Sequence, residues 1–203
     1  MVAMTARIVA AILMLAVSAA PTIAQPAGSA APRAPAIHPA TGLKFPSIVG
    51  RDFRLVRSID HGQSEAKPEL GYSLTYLAAP PVDGVARVNI FNGGMAAIPS
   101  GADSTLVAEQ FNQLLDEIRQ LTPDADALKV VNGPAECSPG GISFRCVTLR
   151  AVIPTTQVPI YSTLAVTGYR NHFFSIWLEW NGTKADPVAA DAHLNDLVDA
   201  MTR

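Results

Sequence analysis

Cysteine is nearly absent from this chain: among 203 residues only Cys137 and Cys146 carry a thiol. Two cysteines cannot supply the four ligands of a structural zinc site by themselves, and their spacing is not the Cys-x-x-Cys of a redox helix start. There is also no Gly-x-Ser-x-Gly, no phosphate-cradling glycine loop and no His-Glu-x-x-His, so the short signatures of common hydrolase, nucleotide and metalloprotease chemistry are missing. Charge is sparse, at 16% of residues, and nearly balanced, with 15 basic side chains against 17 acidic. Proteins that hold a phosphate backbone carry a basic excess or a basic stripe, so nucleic acid is excluded as a natural partner. Arg51, Arg54 and Arg57 cluster, but on a strand they divide between two faces, and Asp52 and Asp60 dilute them. They read as a solvated edge.

A long apolar run is missing too. The apolar stretch that begins at Ile8 ends near Ala20, Pro21 cuts it, and no basic cluster follows. A spanning helix needs roughly 20 such residues. What remains, Arg7, an apolar centre and the small-residue ending Thr22-Ile23-Ala24, has the order of a secretory signal peptide over residues 1–24, cleaved after Ala24. No cysteine lies at that point to take a lipid, so the expectation is a periplasmic or secreted protein with no stable membrane anchor after cleavage. Residues 25–42 are almost all Ala, Pro, Gly and Ser and read as a disordered tether. His38 within it reads as a solvated linker histidine, because a lone imidazole on a loose chain has no partners for a metal site. Residues 43–203 suit one domain with a sizeable core.

In an oxidising compartment an even cysteine pair is expected to close. Pro139-Gly140-Gly141 is turn chemistry, and pairing the chain symmetrically about it sets Cys137 opposite Cys146 on neighbouring antiparallel strands. The short loop limits the chain-entropy contribution of such a bond to roughly 2.5 to 3 kcal/mol.

Alternation and turn residues predict strands over 52–59, 71–78 and 85–91, then 127–135, 142–152, 160–169 and 172–180. A helix is predicted over 102–121 from Val107, Phe111, Leu114, Ile118 and Leu121. A second helix opens at Asp186-Pro187, with Val188, Leu194, Leu197, Val198 and Met201 as its apolar stripe. Short connections favour antiparallel neighbours, so the expected class is α+β: a mostly antiparallel sheet of six or seven strands with helices packed on it, an α/β/α sandwich. HFFSIWLEW carries apolar bulk on both faces, which fits either two covered faces or one covered face and an exposed groove around Phe173 and Trp177.

The leader, the tether, a first helix at LVAEQFNQLLDEI, a meander ending in GYRNHFFSIWLEW and a closing helix resemble, over about residues 45–203, the Mog1/PsbP-like α/β/α sandwiches. Within that group the chain resembles small secreted bacterial proteins of no assigned activity. The resemblance implies an adaptor or assembly scaffold and places no functional residue.

Ser64-Glu65-Ala66-Lys67 matches the Ser-x-x-Lys of penicillin-recognising enzymes, but it sits in a polar loop ended by Pro68, without the companion motifs. Asp116-Glu117 and Asp124-x-Asp126 read as solvated acids, and His61 and His193 as surface or hydrogen-bonded imidazoles. The 170–171 hairpin presents Tyr169, Arg170, His172 and Trp177 together, a candidate ligand surface whose plainer reading is core packing. No catalytic residue, cofactor or metal is expected. The leading expectation is therefore a non-catalytic periplasmic domain that binds another envelope protein or a small ligand. The rivals are a hydrolase-like periplasmic enzyme whose site converges only in space, and a structural or stress-related envelope protein.

Overall fold

The computed structural model describes residues 36–79, 83–122, 128–152, 157–182 and 187–203. The expected leader, the first part of the tether and the Asp186 cap lie outside the described residues.

Among the described residues ten strands run in chain order: β1 (Ala36–Ile37), β2 (Lys44–Phe45), β3 (Ile48–Val49), β4 (Phe53–Asp60), β5 (Tyr72–Ala78), β6 (Gly84–Phe91), β7 (Lys129–Cys137), β8 (Phe144–Val152), β9 (Pro159–Tyr169) and β10 (His172–Asn181). Three helices interrupt them: the single turn α1 (His61–Ser64), α2 (Thr105–Leu121) and α3 (Pro187–Thr202). β1 and β2 form a two-stranded ladder, and the other eight make one sheet in the order β3-β4-β5-β6-β10-β9-β8-β7. Every neighbouring pair in it is antiparallel.

This overturns the expected α+β sandwich of six or seven strands. The fold is mostly β, its sheet is larger than predicted, and its helices are few. The excess arises where local pattern is weakest: β1, β2 and β3 are two residues each, too short to display any period. They also place 36–42, read as tether, on the domain, where Gly42 N–H donates to His38 O at 2.9 Å and His38 N–H to Leu43 O at 2.7 Å.

The alternation along β10 divides two cores. Phe174, Ile176, Leu178 and Trp180 pack with Leu74, Tyr76, Val88 and Ile90 under Leu194, Leu197, Val198 and Met201 of α3. On the other face Phe173 joins Val147, Leu149, Leu164 and Val166 under Val107, Phe111, Leu115 and Ile118 of α2. Burying one such side chain contributes roughly 1.5 to 3 kcal/mol. The stripe of α2 is shifted from expectation: Leu115 is buried while Leu121 is exposed. The helix begins at Thr105, not Ala102, because Ser104 caps it by accepting from Val107 N–H at 3.2 Å. α2 lies over β8 and β9, and the β4–β5 part of the same face bears exposed Val56 and Leu77.

Cys137 and Cys146 are joined, with Cα atoms 5.9 Å apart, but not as directly opposed residues. Cys137 faces Phe144, and Cys146 faces Ala135. The symmetric pairing fails because the 139–141 turn is a 3-10 turn that places Cys137 against Phe144 as the last pair of the ladder. The bond therefore runs diagonally. Further along, β7 slips register twice, between Val130 and Asn132 and between Asn132 and Ala135. Gly133 and Pro134 fall in the second slip.

Candidate functional site

The β9–β10 hairpin turns at Arg170 and Asn171, both at positive φ, the backbone a tight two-residue turn needs. Asn171 Oδ1 accepts from Ile98 N–H at 2.7 Å, which ties the turn to the loop before α2. Tyr169 and His172 face each other across the hairpin, and Arg170 lies over the Tyr169 ring at 5.4 Å while donating to Thr41 O at 2.7 Å. These three residues gather. Trp177 does not join them, because it lies an odd number of residues from His172 and so faces α2; its indole donates to Ser162 Oγ, and the Arg87 guanidinium covers it at 4.7 Å. Phe173 is fully buried.

His38 is the main departure from the sequence reading in this region. It is buried, its ring 4.9 Å from Tyr72, 5.0 Å from His172 and 6.3 Å from Phe45. Its Nδ1 accepts from Thr41 N–H at 3.1 Å, which makes the neutral ring a donor at Nε2 only. Desolvation, helped by the charge of His172 and opposed by Asp60, lowers its pKa from 6.5 to about 4. Asp60 in turn accepts from the Tyr72 hydroxyl, which holds its carboxyl below the usual range.

On the opposite sheet face a polar chain crosses from α1 to the strands. His61 Nδ1 meets Glu65 Oε1 at 3.0 Å, His61 Nε2 meets Ser73 Oγ at 2.9 Å, and Ser73 Oγ donates to Asn89 Oδ1 at 2.8 Å. Asp60 starts α1 by accepting from Gln63 N–H at 3.2 Å, which aims His61 back over β5. His61 is thus hydrogen-bonded through both ring nitrogens, and Lys67 approaches Glu65 at 3.8 Å. Ser73 and Asn89 carried no motif; they are polar members of alternating strands, and only register makes them neighbours.

A half-open cleft of about 250 Å³ lies between α3 and the β7–β9 strands. Its wall includes the disulfide, its floor Thr148 and Thr163, whose hydroxyls are 3.0 Å apart, and its rim Asn132, Asp191 and Asn195. Glu136 also borders it, but lies opposite Arg145, which covers Phe111 on the α2 face, and its carboxylate accepts from Ser143 Oγ at 2.7 Å; among the described residues no Lys or Arg belongs to the lining. Asn195 accepts from Gly140 N–H at 3.0 Å and donates to Asp191 O at 2.7 Å, fastening the turn beside the disulfide to α3. Such a cleft had no sequence signal, since its lining comes from four separate stretches.

Among the described residues no group of three or more His, Cys, Asp or Glu side chains is placed to hold a metal ion, and no helix is long and apolar enough to cross a membrane. No family model, curated protein or solved structure matches this chain, so nothing bears on the resemblance to Mog1/PsbP-like proteins.

Proposed function

We propose that the chain is an exported domain of the periplasm or extracellular space that binds a small polar ligand bearing a positive charge. The observation that supports it is the cleft under α3: concave, half polar, with Asp191 on its rim and, among the described residues, no cation in its lining. A recessed site with a few convergent polar groups is the usual form of a ligand site. The leader sequence and the disulfide support export.

The test is thermal melting of the full chain in putrescine, choline or lysine amide at millimolar concentration. A ligand at 100 times its Kd adds about 2.7 kcal/mol, so at least one should raise the Tm by several degrees, and Asp191→Asn should abolish the rise. No shift with any of the three, or an equal shift in the variant, refutes the reading. Export is checked by the mass of the protein recovered outside the cytoplasm, expected to begin at Gln25.

A further inference from the structure

We propose that Ser73, His61 and Glu65 form a nucleophile, its base and the group that orients the base, able to transfer the acyl part of a carboxylic ester. This is independent of the cleft, which lies under α3 on the other sheet face. Three observations converge. The two ring nitrogens of His61 are engaged at 2.9 Å by Ser73 Oγ and at 3.0 Å by Glu65 Oε1, the spacing required of a nucleophile, base and orienter. The chain Glu65, His61, Ser73 spans two elements held together by the sheet, because His61 N–H donates to Gly71 O at 2.9 Å just before Ser73 enters β5. Ser73 is half-buried, and its Oγ donates to Asn89 Oδ1 at 2.8 Å.

Proton bookkeeping selects the roles. With Glu65 accepting from Nδ1–H, Nε2 is left as the acceptor for the Ser73 proton, which at rest is given to Asn89 Oδ1 and turns to Nε2 for the attack. In that arrangement Ser73 Oγ adds to the ester carbonyl carbon while its proton passes to Nε2. Collapse breaks the ester C–O bond, and the alcohol leaves with the proton from Nε2. Water then adds to the acyl-serine, gives its proton to His61, and expels Ser73 as the carboxylic acid departs. No redox partner is needed.

The neighbouring row indicates which acyl group. Arg57 lies opposite Thr75, and Thr75 opposite Arg87, two residues along β5 from Ser73, or about 6.6 Å. Arg87 is bound to Glu179, whereas Arg57 is exposed. An ester whose acyl chain ends in a carboxylate reaches from Ser73 to Arg57.

The experiment treats the full chain with a fluorophosphonate, locates the adduct by peptide mass spectrometry, and measures hydrolysis of 4-nitrophenyl hemisuccinate. The expected result is an adduct on Ser73, lost in His61→Asn, with turnover falling on the order of 100-fold in Ser73→Ala. Glu65→Gln should lower kcat with KM unchanged and Glu65→Asp should restore part of it, a split that loss of a merely structural contact does not give. Arg57→Gln should raise KM. If Ser73→Ala does not fold, the adduct on the native chain decides. No adduct, an adduct elsewhere, or one that persists in His61→Asn overturns the proposal.

Discussion

Acid should destabilise this protein through one buried ring. His38 titrates at about 4 in the folded chain against 6.5 in a solvated one, so between those values the unfolded state binds more protons than the folded. Stability is whole above pH 6.5, declines as pH falls through that window, and levels off below about 4. At 1.36 kcal/mol per unit of pKa the ceiling is about 3 kcal/mol, and at pH 5 the linkage relation gives about 2 kcal/mol. That is a large share of the 5 to 15 kcal/mol typical of a domain. Asp60, whose pKa is depressed from 3.8, loses its contribution at lower pH and does not confuse the window. Urea unfolding followed by tryptophan fluorescence at pH 7, 6 and 5 reads the loss. His38→Asn supplies the control: its Oδ1 replaces Nδ1 as acceptor for Thr41 N–H, yet it cannot protonate, so its stability should vary little from pH 7 to 5. Parallel losses in the two proteins refute the assignment.

Three further outcomes follow from the cores and the disulfide. Phe111→Ala, at a site with no exposure under α2, should cost about 3 to 5 kcal/mol, seen as a Tm drop of about 10 °C. Tyr76→Phe should stabilise by about 1 kcal/mol in the same urea assay, because the Tyr76 hydroxyl is buried with no hydrogen-bond partner; the same burial raises its pKa far above the ordinary phenol value. Replacing both Cys137 and Cys146 by Ala should lower stability by about 2.5 kcal/mol, since the bond closes a loop only 9 residues long. A thiol count on denatured, unreduced protein should find none.

Much of the strand plan was legible because long strands advertise themselves. β9 and β10 span 11 and 10 residues with apolar side chains on both faces, and the hairpin between them was marked by an asparagine able to take positive φ. The class was not legible, because β1, β2 and β3 owe their existence to partners and not to any pattern of their own. His38 shows the same blindness: in a run of Ala, Pro and Gly it looks solvated, and only the return of Leu43, Lys44 and Phe45 against β1 buries it. The disulfide was readable in identity but not in register. As for the candidate sites, Ser73 meets His61 across 12 positions and Thr148 meets Thr163 across 15, distances at which local sequence carries no signal. Trp177 was grouped with His172 by proximity along the strand, and strand alternation separated them.

The two rims of the large sheet differ in how they end, and the difference bears on self-association. On one side β3 covers only Phe53 and Arg54 of β4, and the rest of that rim is broken by the register shift between Leu55 and Arg57. On the other, β7 is long and exposes Val130 and Val131, the profile that recruits a neighbour's backbone. Its two register slips, and a proline at 134 with no amide hydrogen to donate, break that template into short pieces. A crowded solution of this protein should therefore resist stacking rim to rim into fibres, and replacing Pro134 by a β-branched residue should weaken that resistance.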